Sequence, residues 1–229
     1  MKKVAIVTGA SGNLGKAIVS RFLSDDYQVF GIVHKKSHQA DSLGNDYHEI
    51  ELDLRNEDLC QLHIQEIKKA TGSIDVAVLT AGGFTLNDIT HTRTSDIYAQ
   101  YQLNFETAYN IARPVFTYML QQNNGHLFFI GSRAGYDISA AKGLTAYALS
   151  KSLLFRLAEL MNIEARGKNV VASVVVPSII DTPQNRKEMP NTNFSSWVLP
   201  EHIAKVISFY SSENAAAIRE PVIKIYNHS

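Results

Sequence analysis

Short apolar runs rich in valine and isoleucine alternate with longer segments of helical period along the whole chain, and this alternation constrains the fold more than any other feature. The runs are VAIVT (4 to 8), VFGIV (29 to 33), YHEIEL (47 to 52), DVAVLT (75 to 80), HLFFIG (126 to 131), VVASVVV (170 to 176) and PVIKIY (221 to 226). Between them lie segments 14 to 26, 57 to 70, 95 to 122, 146 to 167 and 200 to 212, most of which place apolar residues at i, i+3, i+4 and i+7. Each reads as a helix with one buried stripe. Strands buried on both faces appear as continuous hydrophobic runs, and strand-helix alternation implies a parallel sheet covered by helices on both sides. The expected fold is a doubly wound α/β sheet of about seven strands, in one domain spanning 1–229, since no repeat or Pro/Gly/Ser-rich linker divides the chain.

The first strand runs directly into TGASGNLG, with Gly9, Gly12 and Gly15 three apart, and then into a helix. Glycines at that junction allow close backbone approach to a phosphate and present free N–H groups at the positive end of the helix dipole. A tight strand-to-helix turn without a ligand is the plainer alternative. Composition narrows the partner. The 22 basic residues balance 22 acidic ones in 229 residues, with no long run of either sign, so nothing marks a nucleic-acid or anionic-membrane surface and a small molecule is expected. The apolar run at 4 to 8 is too short for a signal or a membrane span, and a cytoplasmic protein is expected. Cys60 is the single cysteine, and His91, His126 and His202 lack ligand spacing, so neither a disulfide nor a metal site is expected.

A second constellation is Tyr147 and Lys151 in SRAGYDISAAKGLTAYALSK, four apart and so on one face of a helix. Such pairs also occur on ordinary amphipathic helices. Together with the glycine turn, the segment LTAGG (79 to 83), Asn104, Ser132 and PSIIDT (177 to 182), however, the pair gives the chain a resemblance to the short-chain dehydrogenase/reductase family along essentially its whole length. The fold implied is Rossmann-like. Details differ: Asn13 shifts the glycine spacing, Leu79 and Thr80 replace two asparagines, Ser178 replaces a glycine, and Ser132 lies fifteen residues before Tyr147, with Ser139 as the alternative serine.

The resemblance implies a catalytic set of Asn104, Ser132, Tyr147 and Lys151. Hydride transfer to a carbonyl creates alkoxide charge that must be protonated, and an ordinary tyrosine near pKa ~10 is poorly matched to neutral pH. A Lys151 ammonium beside Tyr147 would lower that pKa and also bond the nicotinamide ribose. Ser132 would donate to the substrate oxygen, and Asn104 would hold a water linking Lys151 to solvent. Cofactor contacts are implied from Gly9, Ser11, Gly12, Asn13, Leu14 and Gly15 in the turn and from His34 and Lys35 after the second strand. Further contacts are implied from Asp53 and Leu54, from Ala81, Gly82 and Gly83, from Tyr147 and Lys151, and from Pro177, Ile180 and Thr182.

An acid at the end of the second strand selects NAD, whereas basic residues accommodate a 2′-phosphate. The chain has Val33 there, followed by His34, Lys35 and Lys36, so NADP(H) is favoured and NAD(H) is possible. The substrate expected is a small carbonyl or alcohol, as for 3-oxoacyl-acyl-carrier-protein reductases. Segment 181 to 197 resembles dihydropteridine reductases and makes pterin reduction the alternative. A non-catalytic NADP-binding regulatory module is the alternative of another class. Residues 181 to 197 are polar and aperiodic and read as a loop closing over substrate. Tyr101, Phe105, Phe116, Leu154, Phe155 and Met161 put apolar surface on more than one face of two long helices, which points to a homodimer or homotetramer.

Overall fold

A computed structural model describes residues 2–36 and 43–228. Seven parallel strands form one sheet in the order β3-β2-β1-β4-β5-β6-β7. They are β1 (Val4–Thr8), β2 (Gln28–Val33), β3 (Tyr47–Glu51), β4 (Val76–Leu79), β5 (Gly125–Ile130), β6 (Val170–Pro177) and β7 (Val222–Ile225). Order reverses beside β1. Chain direction therefore places a crevice at the carboxyl ends of β1 and β4, the usual location of a ligand in such sheets.

Period two in the strands divides the apolar side chains between two cores. Val4 and Ile6 of β1 face one, Ala5 and Val7 the other. On the first face pack α2 (Glu57–Thr71), α4 (Thr107–Gln122) and α6 (Thr145–Glu164), through residues such as Ile64, Ile111 and Leu154. The second face is covered by α1 (Asn13–Ser24) and α8 (Pro200–Tyr210), with Ile18 and Ile207 fully buried. Covering both faces is what turns the strands into unbroken hydrophobic runs.

Two sequence expectations need correction. Residues 95 to 122 read as one long helix, but α3 (Thr94–Tyr101) and α4 are separated by a π-helical turn, Gln102–Glu106. The hydrophobic period continues through it, so nothing local marks the change; tertiary hydrogen bonds described below hold it. The segment 181 to 197 is not merely a loop. It contains α7 (Pro183–Glu188) and a 3-10 turn, Phe194–Ser196. Thr182 caps α7, its Oγ1 accepting from Asn185 N at 3.1 Å, and Pro183 occupies the first helical position. The remaining short helix, α5 (Arg133–Tyr136), follows β5.

Candidate active site

The glycine turn closes on itself before α1 begins. Gly12 N donates to Gly9 O at 2.9 Å, and a Cβ on Gly15 would sit 2.2 Å from the same carbonyl oxygen, so only glycine fits there. Gly12 is the N-cap residue and no side chain caps α1. The first N–H groups of a twelve-residue helix are thus left for a ligand at its positive end.

This turn forms one wall of a groove of about 690 Å³. Gly9, Ser11, Gly12, Asn13, Leu14 and Gly15 line it, with His34, Asp53, Leu54, Ala81, Gly82 and Thr182. Lys35, Gly83, Tyr147, Lys151, Pro177 and Ile180, expected at the cofactor, are not among its lining residues. Arg55, Leu103, Thr107 and Gln184 are, and sequence reasoning missed them. Only Arg55 had an available signal, its place two residues after Asp53. The groove's back wall is tied together where the sequence has threonine instead of asparagine: Thr80 Oγ1 donates to Thr8 O at 2.6 Å, and Ala81 N donates to Thr8 Oγ1 at 3.2 Å.

The catalytic candidates lie outside this lining, next to its edge at Gly82, which adjoins Asn104 and Lys151. Ser132, two residues past the end of β5, caps α5, its Oγ accepting from Gly135 N at 3.0 Å. The same hydroxyl is close enough to the Tyr147 phenol to act on its ionisation. Ser139, the alternative serine, is exposed and bonded to Asp137, so it takes no part. Phe84 stands edge-on to Tyr147, ring centroids 6.1 Å apart. One turn along α6, the buried Lys151 donates from Nζ to Ile130 O at 2.8 Å. That is the hydrogen bond it makes among the described residues, and an ammonium carries three N–H donors. Two donors remain for a ligand.

Asn104 sits in the π turn, where its Oδ1 accepts from Gly83 N and its Nδ2 donates to Gly83 O, both at 3.0 Å. Nδ2 is also 3.0 Å from Gln100 Oε1 and 3.1 Å from Ser150 Oγ on α6. The side chain therefore ties the segment after β4 to α6, a structural task the water-holding expectation did not include. Such π turns commonly mark functional sites.

The electrostatics differ from expectation. Burial pushes the Tyr147 phenol above its ordinary value, and the nearby Ser132 hydroxyl only partly opposes this. Lys151 is engaged with Ile130 and is itself pushed down to about 8 by burial. The expected depression of the tyrosine by a neighbouring ammonium is absent here. Tyr147 is thus a protonated phenol at neutral pH, suited to donate a proton.

What this arrangement can do is hold an anionic dinucleotide along the turn and present a hydroxyl pair, Ser132 and Tyr147, to one substrate oxygen. Comparison with known proteins agrees. Residues 3–193 match the family model described as short chain dehydrogenase. The 3-oxoacyl-acyl-carrier-protein reductase FabG of Thermotoga maritima is 26% identical over 240 residues, covering 97% of this chain and 96% of that protein. The acetoacetyl-CoA reductase of an Acinetobacter species is 27% identical over 244 residues, 98% of this chain and 96% of its own length. Among solved structures, "ElxO with NADP Bound" superposes with a TM-score of 0.90 at 25% identity, over 98% of this chain and 97% of that one.

Proposed function

This chain belongs to the short-chain dehydrogenase/reductase family of NAD(P)-dependent oxidoreductases, and from that premise we propose that it reduces a small carbonyl, or oxidises the matching alcohol, with NADP(H), in the manner of the 3-oxoacyl reductases it resembles. The observation that carries this reading is the buried Lys151, one turn from Tyr147 on α6, with two donors left over from its bond to Ile130. The cofactor supplies the hydride. Ser132 and Tyr147 bind the substrate oxygen, the serine steadying charge as it develops and the phenol giving up its proton. Lys151 would offer its free N–H groups to the ribose hydroxyls, and the missing side chain of Gly82 leaves room for Lys151 and Asn104 beside it. NADP(H) is favoured because β2 ends in the buried Val33, where no carboxylate can accept from a 2′-hydroxyl. Tighter NADPH than NADH binding by fluorescence titration checks this, and Val33→Asp should reverse it.

Tyr147→Phe removes only the phenolic oxygen. NADPH should still bind while turnover falls by roughly 10² or more, the scale of lost general acid catalysis. Lys151→Ala should lose turnover and weaken cofactor binding together. Single-turnover NADPH oxidation against acetoacetyl thioesters, simple ketones and quinonoid dihydropterin, run beside a binding titration, separates the possibilities. Wild-type turnover in Tyr147→Phe would overturn the assignment, and cofactor binding with no turnover of any carbonyl would favour the regulatory module. The working form is a homodimer or homotetramer, for a reason that belongs to the whole molecule and is argued below.

A further inference from the structure

We propose that Arg55 is the residue that reads the ribose 2′-phosphate of the dinucleotide, a task the sequence suggests for the run His34, Lys35 and Lys36; the proposal rests on the NADP(H) reading above. The catalytic candidates follow β4 and β5 or lie on α6, so they adjoin one end of the groove. Its other end lies across β1, beyond the ends of β2 and β3, where His34, Asp53, Leu54 and Arg55 line it. With the reacting end fixed by Tyr147, the adenosine portion must fall here. Lys35 is exposed and is not among the lining residues.

Asp53 is the one carboxylate among the described residues that line the groove. Left alone it would repel a 2′-phosphate. Arg55 pairs with it through two bonds, Nε to Oδ1 at 3.1 Å and Nη2 to Oδ2 at 3.0 Å. That pairing neutralises the carboxylate and fixes the plane of the guanidinium. A guanidinium has five N–H donors, so three remain, in the fork geometry that suits phosphate. His34 lines the same end of the groove. Arg55 thus does two things at once: it removes a repulsion and supplies an attraction.

The test uses 2′,5′-ADP and 5′-AMP, which share the adenosine end and differ in the 2′-phosphate, in calorimetric or competition binding to the full chain. Arg55→Gln should weaken 2′,5′-ADP by about 10- to 100-fold, the scale of losing charge-assisted hydrogen bonds, while 5′-AMP moves by no more than about 3-fold. Lys35→Gln should change either ligand by less than about 3-fold. The Arg55–Asp53 pair is largely exposed, and such pairs contribute little to stability, so the variant should fold. Arg55→Lys, with the charge kept and the fork lost, should fall between. Equal weakening of both ligands by Arg55→Gln, no weakening, or a loss carried by Lys35→Gln would each overturn the proposal. If the unaltered protein itself binds the two ligands alike, the NADP(H) reading fails first, and that result is seen before any variant is compared.

Discussion

Lys151 and His126 are both bases whose charged forms are disfavoured by burial, and they differ in what could restore the charge. Lys151 has spare donors toward a site built for anions and hydroxyls, and burial holds it at about 8. A bound cofactor accepts from the ammonium and so raises this pKa, which means that binding above pH 8 takes up a proton. Cofactor affinity should accordingly be level below about pH 8 and fall above it, by up to about tenfold per pH unit, and Lys151→Met should remove that dependence. Titrations from pH 6 to 10 check it. His126 has no such rescue. Its Nδ1 faces Tyr210 O at 3.2 Å, its Nε2 faces Ser173 Oγ at 2.9 Å, and its ring stacks on Phe128. Held at about 3, against 6.5 when exposed, it is neutral when folded and takes a proton on unfolding. Its contribution is therefore complete above about pH 6.5 and is lost as pH falls from there toward 3, at most about 2–4 kcal/mol. Denaturant unfolding of His126→Gln should show a shallower acid limb than the unaltered protein; an identical limb would exclude this source.

At the scale of elements, the site is made by a junction between the segment after β4, the π turn and α6. A Cβ on Gly82 would lie 2.5 Å from Asn104 Oδ1 and 3.3 Å from Lys151 Nζ. Gly82→Ala should push Asn104 off Gly83 and crowd Lys151, destabilising the fold by about 1–3 kcal/mol and weakening cofactor binding. Thermal unfolding with and without NADPH measures both. This junction also shows why the sequence could be read so far and no further. The glycine turn, the strand runs and the Tyr147–Lys151 spacing are local patterns whose geometry follows from helix and strand periods. The π turn is held by bonds from Asn104 to Gly83, twenty-one residues away, and no local period reports them. α7 escaped because five polar residues after Pro183 have no apolar stripe, although Thr182-Pro183 carries the cap signal. Arg55 escaped because its role depends on the side of the groove it faces, which only the packed strands decide.

The whole molecule leaves apolar surface that one chain does not cover. The residues from which self-association is expected are mostly used internally: Phe116, Leu154, Phe155 and Met161 are buried in the chain's own core. Two of that set remain at the surface: Tyr101, exposed, and Phe105, half-buried, line up with the exposed Tyr109 along the α3–α4 junction, ring centroids 5.3 and 6.1 Å apart, and Tyr98 on α3 is 64% exposed. On α6, which packs against α3, Leu149, Leu153 and Leu160 recur at helical spacing and are exposed, Leu160 by 57%. Aromatic and leucine stripes on two adjoining helices form a continuous patch of the kind that marks an interface. A two-fold axis lets the same patch cover itself, giving a dimer, or a tetramer if a second axis is used. Leu153→Glu places a carboxylate in that contact, where desolvation disfavours it by several kcal/mol. Its association should weaken by about 10²-fold or more. Light scattering at micromolar concentration should then give a dimer or tetramer for the unaltered chain and a smaller species for the variant. Because Tyr147 and Lys151 ride on the same helix as this leucine stripe, turnover in the variant should fall with dilution while that of the unaltered chain holds. A monomer in the unaltered protein would contradict the dimer and leave the patch to another partner.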